Sequence, residues 1–380
     1  MVVRPRKLAW IVSLAAGCIL SAATADACDV PVFRYALERW PAFPYGVLVF
    51  HRGELPPAEK AVVDWLGKCA SGEKLACNVM VRAVDVSGKM PPQIAAIWKT
   101  QAGAKLPWMV VLYPVRGPAR GVAWAAPLTA RNVAAAVDSP IRQEVIKRIL
   151  DGESGVWVFL GCGDPAKDEP AAKLLATELK KLRGMLELPT PASFGWGPPV
   201  EGAPTPPKLR VAFSLIRLSR KDKAERAFVQ MLLRTEEDLI KEYSDQPMAF
   251  AIYGRGRALF ALVGKGITAE NIGGMCEFLV GRCTCDIRDW ITGTDLLMAA
   301  DWDARLEEQF AQTAPELPDA VAPATKAAAT QPAATQPAAA QRVAAGGLGL
   351  FVWSILIAFG FIAVGAVVLV LWLSKAPSRS

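Results

Sequence analysis

Histidine is almost absent from this sequence, and its cysteines are not arranged as a reactive pair. The 380 residues contain eight cysteines and a single histidine, His51. Zinc sites usually take four cysteine or histidine ligands, so the cysteine cluster in "MCEFLVGRCTCD", with no histidine nearby, is short of a full ligand set. No serine or cysteine nucleophile lies near His51 in sequence, which favours a structural role or contact with an acidic group over catalysis. We therefore predict no metal and no cofactor.

The excess of positive over negative charge is also small. The formal net charge is +7, but Arg4, Arg6 and Lys7 fall in a segment predicted to be removed. Lys375 and Arg379 flank an apolar run near the other end. The remaining positive charge is scattered, which is typical of a solvated surface and predicts no nucleic-acid partner.

The N-terminus has the three parts of a secretory signal. A basic start precedes an apolar run over residues 8–20 and the small residues Ala25-Asp26-Ala27. This pattern predicts cleavage after Ala27. A lipoprotein signal ending at Cys18 is the alternative, although it lacks a large aliphatic residue three places earlier.

A second apolar run, "LGLFVWSILIAFGFIAVGAVVLVLWL", lies near the C-terminus and contains no charged residue. It is long enough to cross a bilayer core of ~30 Å as a helix. Lys375 and Arg379 follow it, which predicts a cytoplasmic tail and an extracytoplasmic (periplasmic) folded part. The preceding Ala/Pro/Thr/Gln-rich stretch cannot bury much apolar surface and predicts a tether.

The sequence between these ends repeats one plan. "LPWMVVLYP" and, about 140 residues later, "QPMAFAIYG" each join a proline to a strand-like run, a Gly/Arg turn and a second strand. "TARNV" and "TAENI" then begin helices that Thr129 and Thr268 are expected to cap. Reading each half from its start, the order is β-α-β-α-β-β-α in both.

Both halves resemble the thioredoxin-like superfamily, in which a proline, usually cis, leads into the third strand. Pro107 and Pro247 occupy that place, and the resemblance covers residues 32–281 as two tandem modules, as in disulfide isomerases or calsequestrin-type proteins. "VPVFRYALERWPAFPYGVLVFHRGELPPAE" is also similar to bacterial envelope proteins of uncharacterised activity. The fold class expected is α/β, with two modules and one C-terminal transmembrane helix.

The catalytic cysteine pair of that superfamily is missing. Between the first strand and first helix, the first half reads "FHRGELPPAEK", with no cysteine. The second half reads "LGCGDPAKDEP", where Cys162 stands at the first position and Pro165 at the second. A dithiol-disulfide cycle cannot close there. Cys162 is therefore interpreted as a turn thiol, with mixed-disulfide formation left as an alternative.

The remaining cysteines favour structural bridges. Cys69 and Cys77 are predicted to form a short clip. Cys283 and Cys285 either form a strained, redox-active bridge or pair separately with Cys276 and Cys28.

Two further motifs are interpreted as having no catalytic role. "YGRGRALFALVGKG" predicts a hairpin turn rather than a phosphate loop, although Arg255 and Arg257 at its tip could bind an anion. The acidic stretch that begins at Asp286 lacks the alternation of a calcium loop and predicts a surface segment packed on the second module.

These features predict an envelope protein with two redox-inactive modules that binds or scaffolds a protein, a membrane complex or an extended peptide beside each proline. The peptide would contact Leu106, Pro107, His51 and Arg52, or Gln246 and Pro247. The alternatives are a thiol-disulfide enzyme using Cys162 or the Cys283/Cys285 pair, and a structural subunit of a membrane complex. The predicted segments are a signal (1–27), module 1 (28–151), module 2 (152–281), a packing segment (282–312), a linker (313–346), a transmembrane helix (347–373) and a tail (374–380).

Overall fold

The chain is a mixed α/β protein with two β-sheets. A computed structural model describes residues 30–73, 75–189, 209–283 and 293–313. The predicted signal, the linker after residue 313, the predicted transmembrane helix and the tail lie outside these residues. Within the described part, no helix is long and apolar enough to cross a membrane.

The first half follows the predicted order. Its elements are β1 (Tyr45–His51), α2 (Pro57–Ser71), β2 (Val79–Asp85), α3 (Pro92–Lys99), β3 (Trp108–Leu112), β4 (Val122–Pro127) and α4 (Ala130–Val137), preceded by α1 (Val32–Arg39) and followed by α5 (Pro140–Leu150). The sheet order is β2-β1-β3-β4, with β1 parallel to β2 and antiparallel to β3. The apolar run of β1 is central and almost fully buried, as expected for a strand covered on both faces.

The second half repeats this topology. Its elements are β5 (Gly155–Gly161), α6 (Pro165–Met185), β6 (Phe213–Ser219), α7 (Arg226–Leu232), α8 (Asp238–Lys241), β7 (Met248–Tyr253), β8 (Arg257–Leu259), β9 (Leu262–Val263), α9 (Ala269–Val280), β10 (Gly293–Asp295) and α10 (Trp302–Thr313). The sheet order is β10-β8-β7-β5-β6, and β9 also pairs with β7. The predicted single strand after the turn is therefore split, because the chain breaks from the sheet at Phe260 and Ala261.

Both predicted helix caps are confirmed. The Thr129 hydroxyl accepts a hydrogen bond from the Asn132 amide, and the Thr268 hydroxyl accepts one from the Asn271 amide, each at 3.2 Å. The two asparagine side chains then donate back to the carbonyls of Pro127 and Gly266. The two halves thus share a detailed local structure as well as an element order.

Helix α1 was not predicted, and it packs on the second half although it precedes the first. Phe33 and Ala36 join the core of the second sheet with Trp157 and Leu279. The amide of Val32 donates to the carbonyl of Gly281 at 3.0 Å. The folded core of the second half therefore includes residues from the predicted range of module 1.

Helix α5 was also not predicted, and it joins the same half. Val145, Ile146 and Ile149 lie in one buried cluster with Val156 and Val158 of β5.

The segment after β10 lies between the halves rather than on the second half alone. Leu296 and Met298 are buried with the second-half core, whereas Leu297 and Ala299 are buried with the first-half core. This is the alternation of an extended strand that has a core on each side. Residues 284–292 of the predicted packing segment lie outside the described residues.

Candidate functional site

The sheet registers bring the predicted binding residues together in pairs. Phe50 pairs with Trp108 and Leu160 with Met248, so His51 faces Pro107 and Gly161 faces Pro247 at the next position. We call the end of the first sheet formed by His51, Arg52, Leu106 and Pro107 the first rim. The corresponding end of the second sheet, formed by Cys162, Gln246 and Pro247, is the second rim. The two rims occupy equivalent positions in the repeated topology.

At the first rim, His51 has a structural contact. Its Nδ1 atom lies 2.7 Å from the carbonyl oxygen of Gly53, and the Gly53 amide donates to Asp85 Oδ2 at 3.2 Å. The hydroxyl and amide of Ser87 donate to Asp85 Oδ1, and these bonds hold the pKa of the Asp85 carboxyl below its usual value. This network orders the loop after β1 and leaves the Arg52 side chain exposed.

The main chain of Leu106 is open. The Leu106–Pro107 bond is cis, and the Pro107 carbonyl accepts from the Leu128 amide at 3.0 Å. Among the described residues, no hydrogen bond is made by the amide or carbonyl of Leu106. The Leu106 side chain is half-buried against the cluster of Leu48, Phe50 and Val110. An extended peptide could therefore form main-chain hydrogen bonds with Leu106, and the half-buried Leu106 side chain holds that residue in place.

The second rim has the same plan but is closed by its own chain. The Gln246 amide donates to the Tyr243 carbonyl at 3.1 Å, and Arg220 Nη2 donates to the Gln246 carbonyl at 2.6 Å. The Pro247 carbonyl accepts from Gly264, and Pro247 is buried. In the described part, the one cis bond precedes Pro107, so Pro247 does not share that geometry. Both main-chain groups of Gln246 are thus already paired.

Cys162 stands at the second rim without a second cysteine. Pro165, three residues after Cys162, begins α6, and Asp164 caps that helix. The amides of Cys162 and Gly163 both donate to the Asp168 carboxylate, at 2.8 and 2.9 Å. Burial, together with the neighbouring Asp168, raises the pKa of the Cys162 thiol above its ordinary value. The neutral thiol is therefore favoured.

A cavity of about 220 Å³ adjoins this position. Its lining includes Phe159, Asp168 and Arg217. Arg217 is paired with Glu169, and its guanidinium lies 6.0 Å from the centre of the Phe159 ring. Burial raises the pKa of Asp168, but the amides of Cys162 and Gly163 outweigh it and the net shift is downward. The charges lining this cavity are thus largely satisfied within the chain.

Cys69 and Cys77, predicted to form a disulfide clip, are neighbours: the Cys77 amide donates to the Cys69 carbonyl at 3.1 Å. The structure has both as buried thiols, so the bridge itself stays a prediction. Burial raises the pKa of both thiols, most strongly that of Cys77. They line a second cavity, of about 370 Å³, between the first half and the segment after β10.

Of the other cysteines expected to form bridges, two are described by the structure and two are not. Cys276 is a thiol buried in the second-half core, and burial raises its pKa to about 12. Cys283 is buried in the same cluster. Cys28 and Cys285 lie outside the described residues, so their pairing stays a prediction. In the described part, no group of three or more candidate ligands could hold a metal ion.

The hairpin at Gly254–Gly256 is confirmed, but its arginines are committed to structure. Arg255 pairs with Asp303 and donates to the carbonyl of Leu37. Arg257 is buried and pairs with Asp295 at 2.9 Å. Both arginines of the suggested anion site are thus already paired within the chain.

Sequence reasoning missed three charged residues that shape the rims and the contact between the halves. Arg220 closes the second rim, Asp168 occupies the amides beside Cys162, and Arg142 lies fully buried between the halves. Only Asp168 had a local signal, because acidic residues are favoured in the first turn of a helix.

Comparison with known proteins assigns no family: no family model, curated protein or solved structure matches this chain.

Proposed function

We propose that this is a membrane-anchored envelope protein whose first half binds an extended peptide segment of another envelope protein or membrane complex. The folded part consists of two thioredoxin-like modules, and the apolar run 348–373 anchors it. The shared strand order, with a proline before each third strand, supports this interpretation by analogy of fold.

The observation that carries the proposal is the difference between the rims. Leu106 offers both a free amide and a free carbonyl, whereas Arg220 and Tyr243 occupy the same groups of Gln246. Peptides that add to an exposed backbone gain affinity from main-chain hydrogen bonds of this kind. Binding is therefore assigned to the first rim, and the second half serves as a partner in folding.

A dithiol enzyme is less well supported. The thiol at the second rim lacks a resolving cysteine, and its pKa is raised, although reactive cysteines have a lowered pKa. The Cys283/Cys285 pair stays an untested alternative because Cys285 lies outside the described residues.

The experiment uses the full chain, recovered from the membrane fraction with detergent. A displayed library of extended peptides is selected on it, and hydrogen exchange is then compared with and without the selected peptide. We expect slower exchange over residues 104–108 and 51–53, with no change over 244–247. Recovery of the full chain from the soluble fraction would contradict the anchor.

A matched pair of variants tests whether the peptide binds at the first rim. Arg52→Ala should weaken peptide binding about fivefold, as expected for a contact of about 1 kcal/mol. Lys167→Ala is the control. Lys167 is paired with Asp245 near the second rim, so its loss should leave peptide binding at the first rim unchanged. Failure to select any peptide, or equal protection of both rims, would overturn the assignment.

A further inference from the structure

Cys69 and Cys77 lie where the first half meets the segment that follows β10. Cys69 is in the last turn of α2, which ends at Ser71 and is capped by Gly72 in the left-handed conformation. Cys77 lies two residues before the start of β2 and forms a β-bridge with Ala299. Cys77 is therefore joined directly to the segment that lies between the two cores.

The backbone already holds the pair together. The Cys77 amide donates to the Cys69 carbonyl at 3.1 Å, which closes the loop between them. Both side chains also line the same cavity, so the two cysteines start from adjoining backbone positions from which side-chain movement can bring the sulfurs to the ~2.05 Å of a disulfide bond. By contrast, Cys162 lies at the second rim and Cys276 in the core of the second half.

The residue next to the pair fastens the C-terminal segment. The Asn78 side chain donates to the carbonyls of Phe43 and Leu296, at 3.0 and 3.1 Å. Its oxygen accepts from the Met298 amide at 2.9 Å. A covalent bond at Cys77 would restrict the start of β2 and, with it, this set of contacts.

We propose that Cys69 and Cys77 are a redox modification site, at which a reversible disulfide fixes the docking of residues 296–299 on the first half. The oxidant is a disulfide reagent or the disulfide of another protein. One thiolate attacks a sulfur of that disulfide, forms a mixed disulfide and releases a first thiol. The second thiolate attacks the bonded cysteine sulfur and releases a second thiol.

The exchange is balanced. Two S–H bonds of this chain and one S–S bond of the oxidant are lost, and one S–S bond of this chain and two S–H bonds of the reagent are formed. Because burial favours the neutral thiols, the reaction should be slow at neutral pH and faster at alkaline pH.

The test uses the full chain in detergent, treated with 2-hydroxyethyl disulfide or with dithiothreitol, then alkylated and mapped by mass spectrometry. We expect peptides containing residues 69 and 77 to be joined after oxidation and separated again by dithiothreitol. Cys162→Ser should leave this bond unchanged. Cys69 and Cys77 that remain alkylated, or that pair with other cysteines, would overturn the proposal.

Hydrogen exchange of the wild-type chain tests the coupling without any variant at the pair. Exchange of the amides in 296–299 should be several-fold slower in the oxidised protein than in the reduced one. Residues 244–247, at the second rim, are the internal control and should not change. A disulfide that forms without altering exchange over 296–299 would show that it does not fix the docking.

Discussion

At the scale of single residues, the properties of Cys162 depend on Asp168. A helix N-terminus ordinarily stabilises a thiolate, because its free amides and the helix dipole favour negative charge. Here the Asp168 carboxylate takes the amides of Cys162 and Gly163. The carboxylate also places a negative charge beside the sulfur. Cys162 thus stands before a helix N-terminus, where a thiol can be reactive, but the Asp168 carboxylate opposes formation of the thiolate.

The pH dependence of alkylation checks this conclusion. A raised pKa means that Cys162 is protonated at neutral pH. Its rate with iodoacetamide should therefore rise about tenfold per pH unit from about pH 7 to about pH 8.5. Peptide-resolved mass spectrometry measures the rate at this cysteine alone.

Asp168→Asn should speed the reaction at neutral pH, because it removes the charge that opposes the thiolate. Glu169→Gln is the matched control, since Glu169 is paired with Arg217. A wild-type rate that is flat across neutral pH would contradict the raised pKa.

At the scale of elements, the repeat is strongest where a helix follows the hairpin. Thr129 with Asn132 and Thr268 with Asn271 make the same pair of bonds at the starts of α4 and α9. These caps were predictable because capping depends on side chains within a few residues. The split between β8 and β9 was not, since it depends on where the strand loses its partner in the sheet.

Removing either cap should have a similar cost. We expect Thr129→Ala and Thr268→Ala each to lower the free energy of unfolding by about 1 kcal/mol, because each leaves a first-turn amide without its acceptor. Urea denaturation followed by circular dichroism measures this change.

Thr177→Ala in α6 is the control. Its hydroxyl donates to the Lys173 carbonyl within the helix, so its loss leaves no amide unsatisfied. We expect a change within about 0.5 kcal/mol. Equal losses in all three variants would show that the caps have no special role.

At the scale of the whole molecule, the halves share their cores. Helix α7 places Phe228 and Leu232 in the second-half core, and Ala227 and Met231 in the first-half core. Arg142 of α5 is fully buried nearby, donates to the carbonyls of Ala136 and Leu297, and lies over the Phe228 ring. Burial lowers its pKa to about 10, which leaves it charged at neutral pH.

Replacing this arginine should destabilise both halves together. Arg142→Met roughly retains the volume but leaves buried carbonyls of α4 and Leu297 without donors. We expect a loss of about 3 kcal/mol or more in the free energy of unfolding, measured by urea denaturation.

Lys147→Ala, one turn along the same helix, is the control because Lys147 is exposed and pairs only with the exposed Asp151 among the described residues. Its cost should be below about 1 kcal/mol. A loss for Arg142→Met as small as this would contradict a structural role for the buried charge.

The sequence alone did not determine helices α1 and α5, but it determined the β-α-β-α-β-β-α order shared by the two halves, the two helix caps, the absence of a cysteine pair at either rim and the closeness of Cys69 and Cys77. Each of these rests on residues close together in the chain or on a pattern that repeats. The tertiary structure alone decided that α1 packs on the second half, that Arg220 closes one rim while the other stays open, and that residues 296–299 insert between two cores. These features join residues from 26 to about 250 positions apart, and no local periodicity in the sequence indicates such contacts.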